Sequence, residues 1–418
     1  MNINDVDAAF HESPSWDETI YPRFKWLREN APVYWSEQAQ LWVLTKYEDL
    51  VAISKNQDMF TSGEGVRPDP KLRIGLIDEP EPRHGQLRKM LNKGFTPRMV
   101  AKLEVVFRGL VNEILDGVAE KGECDFVDDI AVPLPLLMIA EMIGIRPEDR
   151  KRFHRWSDAM MRAEGNQDDP EIVAAAGEAF TEYSVYLDEI LNDRRKNPQD
   201  DLLTILVGAD EQGALVRFDG AEAARGDGAE EEDLELHNSE LMMLCVVLMV
   251  AGNETTRNAM SGGMQCLIEN PAERKKLLDD PTLINSAVEE MLRFVSPVQS
   301  FVRTVTTDTE YKGFEFKKGQ KVLVVYPSAN HDADVYDDPD TFKVERNPEH
   351  VAFGIGTHFC LGANLARMEM RVAFSELLRR FPDMEYADGG PEIRSHALVR
   401  SCMHMNVRFT PQKRSSAA

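Results

Sequence analysis

The segment from Phe353 to Gly362 reads FGIGTHFCLG and carries one cysteine, Cys360, among three glycines. The sequence after it, LGANLARMEMRVAFSELLRRFP, repeats apolar residues at helical spacing in two adjacent stripes and ends at a proline. Stripes of that combined width predict a helix that is buried on most of its surface. Cys360 therefore lies just before a helix N-terminus, where the helix dipole and free N–H groups stabilise a thiolate.

Two interpretations of Cys360 follow from this position. Glycine lets the backbone turn sharply and lets a flat group lie close to it, and a thiolate presented from such a turn suits the axial position of a haem iron. The simpler interpretation is a buried free cysteine at a tight turn, because most free cysteines only fill space in a core. The glycines and the neighbouring His358 favour the first interpretation without deciding between them.

Composition sets the class of protein. The chain has 418 residues, of which 43% are hydrophobic and 29% are charged, so it can bury a large core and is globular. Its formal net charge of −24 argues against general binding of nucleic acid. The five cysteines are odd in number, widely spaced and without a CxxC pair, which is typical of reduced thiols in a cytosolic protein.

Targeting and membrane segments are not expected. The N-terminus is polar and acidic and lacks the basic and apolar regions of a signal peptide. The longest apolar run, Leu241–Ala251, is much shorter than the ~20 residues that a bilayer span needs. The sequence therefore predicts a cytoplasmic protein without a membrane anchor.

The pattern of elements predicts a mainly α protein with a small β region. Strand signals occur at 39–47, 301–326 and 403–411, and most of the remaining sequence has helical periodicity. Residues 219–233 are rich in glycine, alanine and acids, which indicates an acidic surface loop that is free to move. Because the sequence on both sides of that loop is apolar and helical, residues 1–418 are expected to form a single domain.

A second unusual stretch, VAGNETTRN at 250–258, lies inside a long apolar helix predicted from about 236 to 267. Glycine costs ~1 kcal/mol relative to alanine inside a helix, and threonine hydroxyls bond back to the i−4 carbonyl and bend the helix. A polar, weakened turn there indicates a groove for a small ligand, with Glu254 and Thr255 as proton-handling groups. The alternative is a capped break between two helices.

Four motifs in this chain occur in a known order. They are AGNETT, the E-x-x-R pair in EEMLR, the ERNP segment in FKVERNP and the cysteine motif Phe-Gly-x-Gly-x-His-x-Cys-x-Gly. The spacing of the E-x-x-R pair alone favours an ordinary pair on a solvated helix face. Together the motifs resemble the cytochrome P450 family of haem-thiolate monooxygenases, in particular its soluble bacterial members, over nearly the whole chain.

The resemblance implies a fold and an activity. The fold is a triangular prism, α+β, in which haem lies between a long central helix and the helix after the cysteine. The activity is insertion of one oxygen atom of O2 into a C–H bond. The protein would supply orientation and dryness, and the cofactor would supply the difficult chemistry.

The resemblance also assigns residues to the cofactor, haem b (iron protoporphyrin IX). Cys360 would bind the iron, and its loop would be shaped by Phe353, Gly354, Gly356 and Gly362. Two haem propionates would need charged or hydrogen-bonding partners, because a buried carboxylate is otherwise costly. The candidates for that role are His84, Arg88, Arg303 and His358.

Two further groups of residues take roles from the resemblance. Glu290, Arg293 and Arg346 would form a buried ion triad that holds the region behind the haem. Glu254 and Thr255 would deliver protons to iron-bound O2.

The substrate pocket is expected on the opposite side of the haem from the cysteine. Its candidate wall residues are apolar, so the substrate should be a hydrophobic small molecule. These wall residues are Ile74, Leu76, Val247, Ala251, Val298, Phe301 and Leu398. Any one of them could equally be an ordinary core residue. Several stretches are most similar to the subgroup that hydroxylates sterol side chains and related branched lipids, while terpenoids and fatty acids stay open.

Electrons must come from another protein. The chain has no glycine-rich dinucleotide fingerprint and no cysteine cluster for iron–sulfur, so the resemblance implies a ferredoxin and its NAD(P)H-dependent reductase. Residues 83–103 carry six arginines and lysines and no acid, which would steer an acidic ferredoxin. The alternative is an ordinary solvated helix face.

Three other functions compete with this interpretation. The first is a haem-thiolate peroxygenase or isomerase, which the Glu254–Thr255 pair disfavours because those reactions need no protonation of O2. The second is a non-enzymatic haem-binding protein, and the third is a helical protein in which Cys360 is only part of the core.

Overall fold

The computed structural model describes residues 6–7, 10, 16, 20–68, 75–163, 169–211, 238–395 and 397–414. Ile74 and the acidic loop 219–233 lie outside these residues. The α-helices in the described part are Ile20–Asn30, Tyr47–Lys55, Arg83–Leu91, Pro97–Ala119, Pro133–Ile143, Arg150–Ala163, Pro170–Lys196, Leu202–Glu211, Asn238–Glu269, Pro271–Asp279, Ile284–Val295, Tyr326–Asn330 and Ala363–Arg380.

The strands are short and few by comparison, so the predicted class, mainly α with a small β region, is confirmed. They are β1 (Val33–Ser36), β2 (Leu41–Leu44), β3 (Phe60–Thr61), β4 (Glu123–Asp125), β5 (Ser300–Val305), β6 (Thr309–Tyr311), β7 (Phe314–Phe316), β8 (Lys321–Val325), β9 (Glu385–Tyr386), β10 (Glu392–Ser395), β11 (Arg400–His404) and β12 (Asn406–Arg408). Among the described helices, none combines the length and hydropathy that crossing a bilayer requires.

The central helix, Asn238–Glu269, is continuous through the polar turn, so the alternative of two helices with a capped break is wrong. Its 32 residues extend for ~48 Å at 1.5 Å per residue. Thr255 Oγ1 donates a hydrogen bond to the carbonyl oxygen of Ala251 at 2.7 Å, four residues earlier, as expected of a threonine inside a helix.

Two glycines of the central helix let neighbouring helices approach closely. A Cβ atom on Gly262 would lie 2.5 Å from Val295 Cγ1, and one on Gly263 would lie 2.8 Å from Phe374 Cζ. Val295 ends the helix Ile284–Val295, and Phe374 lies on the cysteine-loop helix, Ala363–Arg380. The glycines therefore fix the separation of the three helices that surround the site.

The main sheet has the strand order β1-β2-β8-β5-β3. Strand β2 pairs with β8 in parallel, and β5 pairs with β8 in antiparallel register with Arg303 opposite Val322. Side chains alternate along a strand, so Phe301 and Arg303 of β5 lie on one face. Both of them line the cavity described below.

The bounds predicted for the last strand, 403–411, are wrong. Two strands, β11 and β12, occupy this region and are separated by Met405. The backbone N–H of Met405 donates to Asp125 Oδ1 at 3.1 Å, and its carbonyl oxygen accepts from the N–H of Phe126 at 2.9 Å. Because Met405 makes these bonds, it interrupts the strand pairing between β11 and β12.

Candidate active site

A cavity lies between the central helix and the cysteine-loop helix. One face of the central helix lines it with Ala251, Gly252, Thr255, Thr256 and Ala259. The cysteine-loop helix contributes Leu365, Ala366 and Glu369.

The cysteine loop presents Cys360 to this cavity. The Cys360 N–H donates to the carbonyl oxygen of Phe353 at 2.9 Å, which closes the loop. Gly354 and Gly356 have φ values of +68° and +81°, which side chains disfavour. A Cβ atom on Gly356 would also lie 2.6 Å from the carbonyl oxygen of Ser54, so this glycine is needed for both conformation and space.

Gly362 has a different reason to be glycine. Its φ of −84° suits any residue, and a Cβ atom there would meet nothing within 4 Å. Because Gly362 also lines the cavity, the missing side chain leaves room for a flat group beside Cys360. The residues present therefore fit a planar macrocycle at this position.

The electrostatic environment of the Cys360 thiol is mixed. Burial raises its pKa, while the backbone N–H groups of Gly362 and Ala363 and the positive charges of Arg88 and Arg367 act in the opposite direction. A metal ion deprotonates a coordinating thiol outright. The same N–H groups and cations would then stabilise the thiolate.

The four predicted partners of the propionates all line the cavity. Arg303 is 2% exposed, and its Nε has no hydrogen-bond partner among the described residues. Burial lowers the pKa of Arg303 and also that of Arg88. A buried guanidinium with an unused donor calls for an anionic ligand.

The two imidazoles stack on each other, with ring centroids 3.9 Å apart and an angle of 28° between the planes. His84 Nδ1 lies 2.9 Å from Glu81 Oε1, and His358 Nε2 lies 3.0 Å from Ser62 Oγ. Burial, together with the neighbouring His84, Arg303 and Arg88, lowers the pKa of His358 to about 3. This wall is electropositive and suits a dianionic ligand such as a porphyrin with two carboxylates.

Phe353 is fixed beside the cysteine by charged neighbours. The Arg367 guanidinium lies 4.6 Å from its ring centroid and donates two hydrogen bonds, of 2.7 and 2.9 Å, to the carboxylate of Glu289. Burial alone would raise the pKa of Glu289, but hydrogen bonds from His350 and Arg367 hold it at about 2. Glu289 and His350 are site residues that the sequence interpretation missed.

The predicted ion triad is assembled and buried. Arg293 donates from Nε and Nη2 to both oxygens of Glu290 at 2.7 and 2.8 Å, and both side chains are 0% exposed. Arg346 Nε donates to Glu290 Oε1 at 3.0 Å. Arg293 also donates to the carbonyl oxygens of Asn330 and Pro339. The alternative, a Glu290–Arg293 pair on a solvated helix face, is therefore wrong. The triad connects the helix Ile284–Val295 to the segment that precedes the cysteine loop.

Of the predicted proton-handling pair, Thr255 lines the cavity and Glu254 does not. Glu254 Oε1 accepts hydrogen bonds from Arg257 at 2.8 Å, Asn258 at 2.8 Å and Ser401 at 3.0 Å. The structure therefore directs this carboxylate toward a polar cluster beside β11.

Five of the seven predicted pocket residues line the cavity: Leu76, Val247, Ala251, Val298 and Phe301. Leu398 does not line it, which corrects that prediction, because this residue pairs with the chain at Gln299, whose N–H donates to the Leu398 carbonyl at 2.8 Å. Ile74 lies outside the described residues. Further apolar residues line the cavity beyond those named in the prediction, among them Val66, Ile77, Phe95, Ile139, Leu248 and Pro297.

Comparison with known proteins agrees with this geometry. The family profile described as cytochrome P450 matches residues 17–282 and 276–400. The chain belongs to the cytochrome P450 family. A steroid C26-monooxygenase of Mycolicibacterium smegmatis is 36% identical over 391 residues, covering 93% of this chain and 92% of that protein. A steroid C26-monooxygenase of Mycobacterium tuberculosis is 35% identical, with 93% of each chain covered.

Solved structures of other P450s have the same fold. CYP109E1 from Bacillus megaterium in complex with testosterone superimposes with a TM-score of 0.80 at 30% identity, covering 93% of this chain and 99% of that one. The polyketide synthase P450 PksS of Bacillus subtilis gives 0.79 at 31% identity, covering 93% and 96%. The predicted P450 fold is confirmed, and this P450 is a haem-dependent monooxygenase. The two non-enzymatic interpretations, a haem-binding protein without activity and a helical protein with Cys360 in its core, are therefore wrong.

The chain's own residues define what each part of the site can do. Haem, when bound, supplies the activation of O2 for insertion into a C–H bond. Cys360 would hold the iron, and Arg88, Arg303 and the two imidazoles would hold the propionates. The apolar residues opposite would orient substrate and exclude water.

Proposed function

We propose that this P450 binds haem b and hydroxylates the aliphatic part of a steroid or a similar hydrophobic lipid. The observation that carries the proposal is a single cavity that joins Cys360 to a wall of apolar side chains, including Leu76, Val298 and Phe301. An apolar wall favours a hydrophobic ligand. The names of the two mycobacterial relatives and the steroid bound to CYP109E1 support a steroid in particular.

A binding titration tests the substrate class. Ligands that displace water from the haem iron change its absorption spectrum, so a panel of steroids, terpenoids and fatty acids can be ranked directly. We expect steroids with an aliphatic side chain to bind at least tenfold more tightly than fatty acids, a difference of about 1.4 kcal/mol. Tighter binding of fatty acids or terpenoids would contradict the steroid assignment and leave the haem site unaffected.

We further propose that Thr255 and Glu254 deliver protons during O2 activation. Thr255 provides a hydroxyl in the cavity, and Glu254 lies one residue away in contact with Arg257, which is partly exposed. Glu254 would exchange protons with solvent through this polar cluster. The Thr255 hydroxyl would direct these protons through a hydrogen bond in the cavity.

Replacing Thr255 by alanine should uncouple electron flow from product. Without the hydroxyl, proton transfer loses a positioned donor. Such a donor typically raises the rate of the proton-transfer step by ~100-fold or more. We expect normal haem content and substrate affinity but at least a tenfold lower yield of product per electron. Thr256→Ala is the matched control, because Thr256 also lines the cavity. Equal yields in the two variants would contradict the role of Thr255.

The electron donor is proposed to be a ferredoxin with an NAD(P)H-dependent reductase. Lys89, Lys93 and Arg98 are exposed and could contact an acidic partner. One cation of the expected docking face is engaged within the chain, because Lys102 pairs with Asp200 at 2.8 Å. Ferredoxin binding should weaken with salt, and activity supported equally well by peroxide alone would favour a peroxygenase. A cytoplasmic location stays a prediction that cell fractionation can test.

A further inference from the structure

A charged network lies beside the cysteine loop, and the family motifs used above assign it no role. Arg367, on the cysteine-loop helix, places its guanidinium 4.6 Å from the ring centroid of Phe353. The carbonyl oxygen of Phe353 accepts the N–H of Cys360 at 2.9 Å, so this cation lies against the residue that closes the loop. Burial raises the pKa of the Cys360 thiol, and the charge of Arg367 is one of the groups that act against that rise. The cation is therefore close enough to favour negative charge on the sulfur.

Glu289 is the counterion of Arg367. The guanidinium donates from Nε to Oε1 at 2.7 Å and from Nη2 to Oε2 at 2.9 Å, which is the bidentate geometry of a strong ion pair. The Nδ1 atom of His350 accepts the N–H of Ala352 at 3.2 Å, so the ring hydrogen lies on Nε2 and points to Glu289 Oε2 at 3.1 Å. Burial alone would raise the pKa of Glu289, but these bonds hold it at about 2. The carboxylate is therefore charged at any working pH.

The ion pair is partly removed from water. The side chains of Arg367 and Glu289 are 25% and 20% exposed. Charges that are partly buried are screened less than exposed charges, so their influence extends over a longer distance. Glu289 therefore cancels part of the positive potential that Arg367 produces at Cys360.

The simpler interpretation is that Glu289 only anchors the cysteine-loop helix to a neighbouring helix. The adjacent residue Glu290 has a role of that kind, because its partner Arg293 donates to backbone carbonyl oxygens. Glu289 differs, because its partner Arg367 covers the ring of Phe353 next to the cysteine. Its charge is placed where it can act on the bound cofactor.

We propose that Glu289, acting through Arg367, sets the reduction potential of the bound haem. This rests on the proposed binding of the haem iron by Cys360. The potential of a haem depends on the charges and hydrogen bonds around its axial ligand. Reduction adds one electron from the external reductase and no proton, so a nearby anion lowers the potential and a nearby cation raises it. Glu289 therefore holds the potential below the value that Arg367 alone would give.

Potentiometric titration of the substrate-free holoenzyme, followed by its absorption spectrum, tests the proposal. Glu289→Gln removes the charge and keeps the size of the side chain. It should shift the reduction equilibrium about tenfold toward the ferrous form, a rise of about 59 mV for a one-electron couple. Arg367→Gln removes the cation and should shift the equilibrium in the opposite direction. Glu289→Asp keeps the charge and should stay close to the wild type.

The opposite signs separate an electrostatic role from a purely structural one. Loss of an anchor would disturb the cysteine loop in both variants and move the potential in one direction. Shifts of the same sign, or an unchanged potential in Glu289→Gln, would overturn the proposal. Should Glu289→Gln take up no haem, Arg367→Gln decides alone, and a potential that does not fall in that variant would count against it.

The matched control is Glu376→Gln on the same helix. Glu376 also pairs with two arginines, Arg108 and Arg379, but it does not line the cavity, so its loss should leave the potential unchanged. The reduced carbon monoxide spectrum and the steroid titration judge the proposed function separately. A thiolate spectrum together with an unshifted potential would remove the role of Glu289 alone.

Discussion

Hydroxylation should fall to background when Cys360 is replaced by serine. The thiolate donates electron density to haem iron and favours O–O cleavage, whereas a serine hydroxyl is a weak donor that stays protonated. The loop geometry should survive, because the hydrogen bond that closes it comes from the backbone N–H of Cys360. The carbon monoxide difference spectrum of the reduced protein measures the loss of the thiolate ligand directly.

The control for this variant is Cys124→Ser. Cys124 lies on β4, and burial raises the pKa of its thiol to about 12, so it is an inert cysteine away from the cavity. We expect Cys124→Ser to keep both the spectrum and the activity. A thiolate spectrum that survives Cys360→Ser would mean that another residue binds the iron, and every role assigned around Cys360 would have to be revised.

The second large effect concerns stability. Glu290→Leu removes the carboxylate that faces Arg293 and Arg346 and leaves the fully buried Arg293 guanidinium without its counterion. Breaking one side of a buried ion pair costs ~3–5 kcal/mol. Because whole proteins are stable by only ~5–15 kcal/mol, the free energy of unfolding in urea should drop by a large fraction. Haem content after purification should drop with it.

Asp279→Asn provides the comparison for an exposed pair. Asp279 pairs with Lys275 at 2.8 Å, and both side chains are well exposed, so its loss should cost at most ~0.5 kcal/mol. A Glu290→Leu protein as stable as Asp279→Asn would show that the carbonyl partners Asn330 and Pro339 suffice for Arg293.

Sequence reasoning succeeded where local pattern and motif order agreed. The cysteine motif predicted both the helix after it and the exposure of Cys360 to a ligand cavity. The convergence of His84, Arg88, Arg303 and His358 came from the family resemblance alone. These residues are far apart along the chain, so no local periodicity could bring them together.

Glu254 shows that adjacent residues of one motif can have different surroundings. Successive residues of a helix are rotated by ~100°, and here that rotation turns Glu254 toward Ser401 while Thr255 lines the cavity. The partner Ser401 is 147 positions away and gave no signal in the sequence. Leu398 failed for a similar reason, since its pairing with Gln299 is long-range.

Glu369, which lines the cavity, could have been recognised from the sequence as a buried acid. It stands between the two apolar stripes of the cysteine-loop helix, where a charged residue has to be buried. An acid in such a stripe is uncommon unless it is paired or functional. Only the structure shows that it lines the cavity and that its Oε2 has no hydrogen-bond partner in the part of the chain that is described.

The parallel pairing of β2 with β8 has a consequence for how the protein is made. Leu41 of β2 pairs with Lys321 of β8, so β2 leaves the ribosome about 280 residues before its neighbour on that side does. At translation rates of roughly 5–20 residues per second, that delay is on the order of tens of seconds. The unpaired edge is exposed during this time, so we expect newly made chains to depend on chaperones and to acquire cofactor only after release.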